Sequence, residues 1–161
     1  MTAINPANPT VHPELVTSFE ALSTDQKLAL LWYIYTELGK SITPAAPGAS
    51  TASPALAEGL FQQVLEMSQE EQLQIQRDII EKKNVPVSRE YGSLSHSTKL
   101  LFWYLLAQGM ERSEVIPMPE DYQLEGQASQ CLTQLQALEY SEQITVLREF
   151  VAPMGNESTE V

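Results

Sequence analysis

The feature that most constrains this chain is an internal repeat. Trp32-Tyr33 and Trp103-Tyr104 lie 71 residues apart, and the same interval relates Glu71-Gln72-Leu73-x-Ile75-x-Arg77-Asp78 to Glu142-Gln143-Ile144-x-Val146-x-Arg148-Glu149. Phe61, Val64 and Met67 fall on Leu132, Leu135 and Leu138 at that shift, and Leu22-Ser23 on Leu94-Ser95 at 72. One coincidence means little, but one offset shared by three segments, and missed by one residue in a fourth, means two halves with one internal order. Each half reads as a capped aromatic helix, a Pro-rich bend, a helix, and a helix opened by Glu-Gln and aliphatic residues. Two similar helical halves packed as bundles about a pseudo-two-fold axis are expected.

Local signals agree on an all-α fold. Ser23-Thr-Asp-Gln26 and Ser68-Gln-Glu-Glu71 are capping-box patterns, and Leu28, Leu31, Trp32, Tyr35 and Leu38 follow the first at helical steps before Gly39. Ser53-Pro54 opens a helix over 55–67, Ser68 one through Ile80, and Ser95 to Thr98 cap one from Lys99 to about Arg112. Further helices are expected over 126–138 and 142–151, with a short turn or helix over 13–22. Thr43-PAAPGASTASP-Ala55 reads as a long connection, and Ile116-Pro117-Met118-Pro119 as a bend no helix can continue. No stretch alternates long enough to make a strand. The boundaries expected are an arm over 1–12, one domain over 13–155 and a tail over 156–161.

Composition removes several function classes. At 161 residues one domain fits, and 43% hydrophobic content is enough to bury a core. There are 21 acidic and 9 basic residues, a net charge of −12, with −7 of it over 119–161, so a nucleic-acid backbone is not the expected partner. No apolar run is long enough to span a bilayer, and the N-terminus shows no signal-peptide pattern. A cytoplasmic protein is expected, monomeric or weakly dimeric. The single Cys131 rules out an internal disulfide and is best read as a small buried hydrophobe. His12 and His96 have no ligand spacing, and Glu70-Glu71 suit a helix N-terminus better than acid–base chemistry. No catalytic signature is present, so no enzyme and no metal site are expected.

The aromatic residues are concentrated. Six of twelve fall in two blocks, Trp32, Tyr33 and Tyr35, and Phe102, Trp103 and Tyr104. Leu28, Trp32 and Tyr35 form one helical stripe; Leu100, Trp103, Tyr104, Ala107 and Met110 form another. Such stripes usually fill a core. Against that, buried Tyr hydroxyls and indole N–H groups need partners, which makes aliphatic residues the easier filler. Met110, Met118 and Tyr122 add deformable and aromatic side chains near the second block. A pocket so lined suits a flat apolar ligand, and two related halves offer two similar ends to a long, nearly symmetric one. Helices of about 20 residues span roughly 30 Å, enough to enclose such a molecule.

The segment ALSTDQKLALLWYIYTELGKSITPAAPGAS, with KLLFWYLLAQGM, the IPMPEDYQL bend and EQITVLREFV, resembles the N-terminal domain of the cyanobacterial orange carotenoid protein. The resemblance runs from about Leu22 to Gly155 with the motifs in order, and the sequence stops at Val161 without that family's light-sensing domain. It thus looks like the stand-alone helical carotenoid proteins. The resemblance implies two interleaved four-helix bundles clasping a ketocarotenoid such as canthaxanthin or echinenone. The family's pigment contacts carry over to Leu28, Trp32, Tyr35, Leu100, Trp103, Tyr104, Ala107, Met110, Met118 and Tyr122, with Ile144 and Val151 as further wall. Arg148 matches an arginine that, in two-domain members, bridges to the second domain and helps dock the phycobilisome. Pro44, Gln76 and Arg77 depart from the family pattern. The function implied is photoprotection by quenching singlet oxygen. The alternatives are constitutive quenching of the phycobilisome, which would bring thylakoid association, and a pigment-free helical interaction module. A separate protein like the missing domain is an expected carrier of pigment.

Overall fold

The computed structural model describes residues 12–38, 54–117, 123–124 and 126–156, with the side chains of 36–38 excepted. Eight helices lie among the described residues, and no strand: α1 (Pro13–Glu20), α2 (Thr24–Leu38), α3 (Pro54–Leu65), α4 (Gln69–Ile80), α5 (Pro86–Gly92), α6 (His96–Glu111), α7 (Gly126–Gln136) and α8 (Tyr140–Val151). The expected arm and tail, the Pro-rich connection before Pro54 and residues 118–122 lie outside the described residues, apart from His12 and Asn156.

The caps are where the sequence places them. Ser68 Oγ accepts from Glu71 N at 3.1 Å while Glu71 Oε1 accepts from Ser68 N at 3.0 Å, a reciprocal box worth about 1 kcal/mol. Ser23 and Ser95 likewise accept from Gln26 N and Thr98 N, both at 3.2 Å. Several boundaries differ from expectation: α6 begins at His96 rather than Lys99, and α3 and α7 end two residues early, at Leu65 and Gln136. α8 starts at Tyr140 rather than Glu142, because extended Glu139 acts as N-cap and its N–H donates to Glu142 Oε1 at 3.3 Å. α5 was not foreseen: it has only seven residues, no side-chain cap, and Pro86 at its start. It is the counterpart of α1, which opens on Pro13 in the same way.

The two halves exchange helices. α1 and α2 pack against α7 and α8, while α3, α4, α5 and α6 form the second group; α2–α4, α6–α8 and α2–α6 contacts join the groups. Every principal contact between helices among the described residues has its mate under the exchange of α1–α4 with α5–α8, and α2–α6 is its own mate, so the pseudo-two-fold axis passes through that crossing. Side chains obey the same symmetry. Gln72 Nε2 donates to Val64 O and Gln143 Nε2 to Leu135 O, each at 3.1 Å, tying α4 to α3 and α8 to α7.

The structure corrects the register of the aromatic blocks. α2 and α6 start 72 residues apart, as do their Ser caps, and Lys27 stands over Phe19 as Lys99 stands over Tyr91. At that shift Trp103 is equivalent to buried Leu31, and Trp32 to Tyr104; the latter two are half-buried. The shared Trp-Tyr dipeptide therefore misaligns the helices by one residue, a rotation of about 100°. The two tryptophans are not twins.

A single core runs through both groups, with Phe19 stacked on Phe150 at 4.2 Å on one side and Tyr91, Phe102 and Trp103 edge-to-face on the other. After α8 the chain folds back: Gly155 N donates to Ile79 O at 2.8 Å and Asn156 N to Ser88 O at 3.0 Å. Buried Lys99 donates to Ala152 O at 2.6 Å, at the negative end of α8. Gly155 has φ +84°, and a Cβ there would stand 2.5 Å from Tyr91 Cδ1. Gly155→Ala should therefore destabilise the fold by about 2 kcal/mol or more, whereas Gly59→Ala, on open helix surface, should stabilise it by up to about 1 kcal/mol. Urea unfolding midpoints of the two variants moving the same way would contradict this.

Candidate functional site

The α2–α6 crossing holds a cleft. Leu28, Leu31, Trp32 and Tyr35 of α2 face Trp103, Leu106, Ala107 and Met110 of α6, and Gln76 of α4 closes one side. Nonpolar side chains dominate here because each helix turns its apolar stripe toward the axis, where its counterpart does the same. With its open mouth the cleft encloses about 220 Å³, but its walls stand too close together to admit a body much larger than a water. An end ring of a pigment enters only if mouth side chains swing outward. Trp32 and Met110 are half-buried, and methionine's unbranched side chain adapts readily.

The floor is fixed by hydrogen bonds. Tyr35 Oη donates to Leu100 O at 3.0 Å, joining α2 to α6. Trp103 Nε1 donates to Tyr91 Oη at 2.9 Å, and Tyr91 Oη donates to Val151 O at 2.8 Å, a relay from α6 through α5 to α8. The buried polar atoms that argued against a plain core thus have partners. Burial raises both phenols, Tyr35 and Tyr91, well above their ordinary value; at Tyr35 the neighbouring Tyr91 adds to the rise, and at Tyr91 the Trp103 bond partly offsets it. Both donate as neutral groups at any physiological pH.

The expected residues divide as follows. Leu28, Trp32, Tyr35, Trp103, Ala107 and Met110 line the cleft together. Half-buried Tyr104 stands beside it, its ring 6.2 Å from Tyr35 and its hydroxyl accepting from Gln108 Nε2 at 2.8 Å. Leu100 takes part through its carbonyl. Ile144 and Val151 are buried in the core and do not line the cleft. Met118 and Tyr122 lie outside the described residues. Leu31 and Leu106 are wall residues the stripes left out, although both satisfy the helical spacing; Tyr91, the bonding partner of Trp103, sits on the short helix that was not foreseen.

Arg148 lies half-buried on α8. Its counterpart Arg77 makes a bidentate bond to Asp25, Nε–Oδ1 2.9 Å and Nη2–Oδ2 3.2 Å. The place of Asp25 is taken by Ser97 in the other half, and no ion pair to Arg148 occurs among the described residues. Cys131 is buried, and desolvation pushes its thiol up to about 11, as an inert packing residue requires. Among the described residues no three His, Cys, Asp or Glu could hold a metal ion together, and no helix is long and apolar enough to cross a membrane.

Comparisons with known proteins place these features. The family described as "Orange carotenoid protein, N-terminal" matches residues 5–157. An orange carotenoid-binding domain-containing protein of Nostoc sp. PCC 7120 is 53% identical over 140 residues, 87% of this chain and 81% of that one. The structure of the Red Carotenoid Protein of Anabaena (Nostoc) sp. PCC 7120 binding canthaxanthin matches with a TM-score of 0.80 and 46% identity, covering 89% of this chain and 97% of that chain. The Orange Carotenoid Protein of the same organism binding canthaxanthin gives 0.79 and 40%, covering 91% of this chain. This chain spans only 47% of that larger protein.

Two outcomes follow from the floor. Stability should be full below the ordinary phenol value of 10.0 and fall as pH rises above it, since the unfolded chain ionises Tyr35 and Tyr91 first. Tyrosinate absorbance should show these two of the six tyrosines holding their protons until unfolding; six ordinary titrations in an intact fold would refute it. Trp103→Ala should cost about 3–5 kcal/mol, and Trp32→Ala less than half as much. Equal losses in urea melts would remove the distinction.

Proposed function

This chain belongs to the family of the orange carotenoid protein N-terminal domain, and from that premise we propose that it holds a ketocarotenoid, canthaxanthin or echinenone, at the α2–α6 crossing and protects against singlet oxygen. The observation that carries the reading is the aromatic cleft on the symmetry axis, in a fold shared along 97% of the length of a protein whose structure contains canthaxanthin. The wall chemistry fits an apolar conjugated end ring, whose binding needs the mouth to open as described. When bound, the polyene supplies the energy sink, accepting excitation from singlet oxygen and releasing it as heat.

The chain's own residues do the rest. Tyr35 and Trp103 present flat faces held in place by their hydrogen bonds, so little ordering remains to oppose binding. Trp32, Tyr104 and Met110 close over the ring from the mouth, and the burial of apolar surface keeps an insoluble pigment dispersed. Met118 and Tyr122 extend the wall in this reading; Ile144 and Val151 back it without touching the cleft. No group acts as acid, base or nucleophile, which fits membership of a carotenoid-binding family.

Arg148 favours a second reading. A half-buried guanidinium that makes no ion pair among the described residues suits an acidic partner such as the phycobilisome, or a separate carotenoid carrier. The net −12 charge opposes the first of these, so oxygen quenching is preferred.

Production in cells that make canthaxanthin should yield coloured protein that shortens singlet-oxygen luminescence while leaving phycobilisome emission undiminished. Colourless protein would overturn the reading, and strong loss of phycobilisome emission without protection would favour the alternative. Trp32→Ala should retain several-fold less pigment at near-normal stability, checked by absorbance per mole of protein.

A further inference from the structure

The apolar cleft has an amide in its wall. Gln76 lies on α4, 1% exposed, among the leucines and aromatic faces of the crossing. Its Nε2 donates to Gln72 O at 3.2 Å, the one side-chain hydrogen bond it makes among the described residues. That bond uses one of the amide's two N–H groups; Oε1 accepts from no protein donor among the described residues, though it is not sealed from solvent. An amide so placed loses its remaining hydrogen bonds to water when an apolar body covers it. Packing does not demand it: at the equivalent position of the repeat stands Leu147, fully buried. Nor is its role taken by the floor, since Tyr35 Oη and Trp103 Nε1 are committed to Leu100 O and Tyr91 Oη.

We propose that Gln76 selects the pigment by an oxygen substituent on its end ring. A ring carbonyl accepts from the second Nε2–H, and a ring hydroxyl donates to Oε1; a hydrocarbon ring satisfies neither. A site built to bond a polar group discriminates against the analogue that lacks it, because the buried amide is then left unpaired. Gln76 thus turns an apolar slot into one that prefers ketocarotenoids or hydroxycarotenoids to carotenes. This deepens the carotenoid reading above and rests on it.

The test loads the full chain from equal amounts of canthaxanthin and β-carotene and extracts what is bound. Wild type should hold about tenfold more canthaxanthin, the effect of one buried hydrogen bond of ordinary strength. Gln76→Leu, and the unbranched Gln76→Met should the first fail to fold, should bring the ratio within about twofold. The carbonyl stretch of bound canthaxanthin should lie lower in wild type than in either variant, a shift that a purely structural glutamine would not cause. An unchanged ratio and stretch in the variants, or equal uptake by wild type, overturns the role of Gln76 while leaving carotenoid binding intact. Uptake of neither pigment by any protein removes both.

Discussion

The structure depends on the mutual burial of two half-sequences that cannot complete a core separately. α1 and α2 find their apolar partners on α7 and α8, and α3 and α4 find theirs on α5 and α6. Four short helices bury too little surface on their own to offset the entropy of ordering them. Exchange doubles the core and places α2 against α6, the crossing where one half meets its own image. A crevice on a symmetry axis is lined twice by the same kind of residue, so stripes of Leu and aromatic side chains meet there without any need for a separate binding motif.

Function enters where the symmetry is broken. Leu31 and Trp103 occupy equivalent places, as do Phe19 and Tyr91, and the polar members of the two pairs bond to one another at 2.9 Å. One half thereby gains a rigid indole wall, while the other closes its core with a Phe19–Phe150 stack. Arg77 has Asp25, whereas Arg148 makes no ion pair among the described residues, Ser97 standing in the place of Asp25. Gln76 faces the cleft from α4 while Leu147 packs on α8. Identical halves would make a symmetric slot; these differences give it a floor, a mouth and a polar side.

Much of this was legible in the sequence because helix caps and periodicity are local. Ser23, Ser68 and Ser95 announce helix starts by side-chain chemistry alone, and the repeat predicts that three helices of one half recur in the other. Residues 86–92 were illegible for the opposite reason: a seven-residue helix has under two turns of periodicity, and only its likeness to α1 signals it. The stripes located six of the cleft residues, since spacing determines which side chains share a face. They could not separate wall from floor. That depends on the one-residue difference between the caps, 72 apart, and the Trp-Tyr pair, 71 apart, and on Tyr91 lying near Trp103 only in the folded chain.

The choice between plain core and ligand wall also changes its form once the hydrogen bonds are known. Satisfied phenol and indole groups are compatible with a plain core, yet satisfaction is also what a binding floor needs: an unpaired Tyr35 hydroxyl would rotate or draw in water, and either would loosen the slot. A site for a stiff apolar guest requires one surface that does not move and another that does. Tyr35 and Trp103 are buried and bonded; Trp32, Tyr104 and Met110 are half-buried at the mouth. A filler core has no reason to divide its aromatic residues that way, because every large side chain it leaves half in water forfeits burial it could have had.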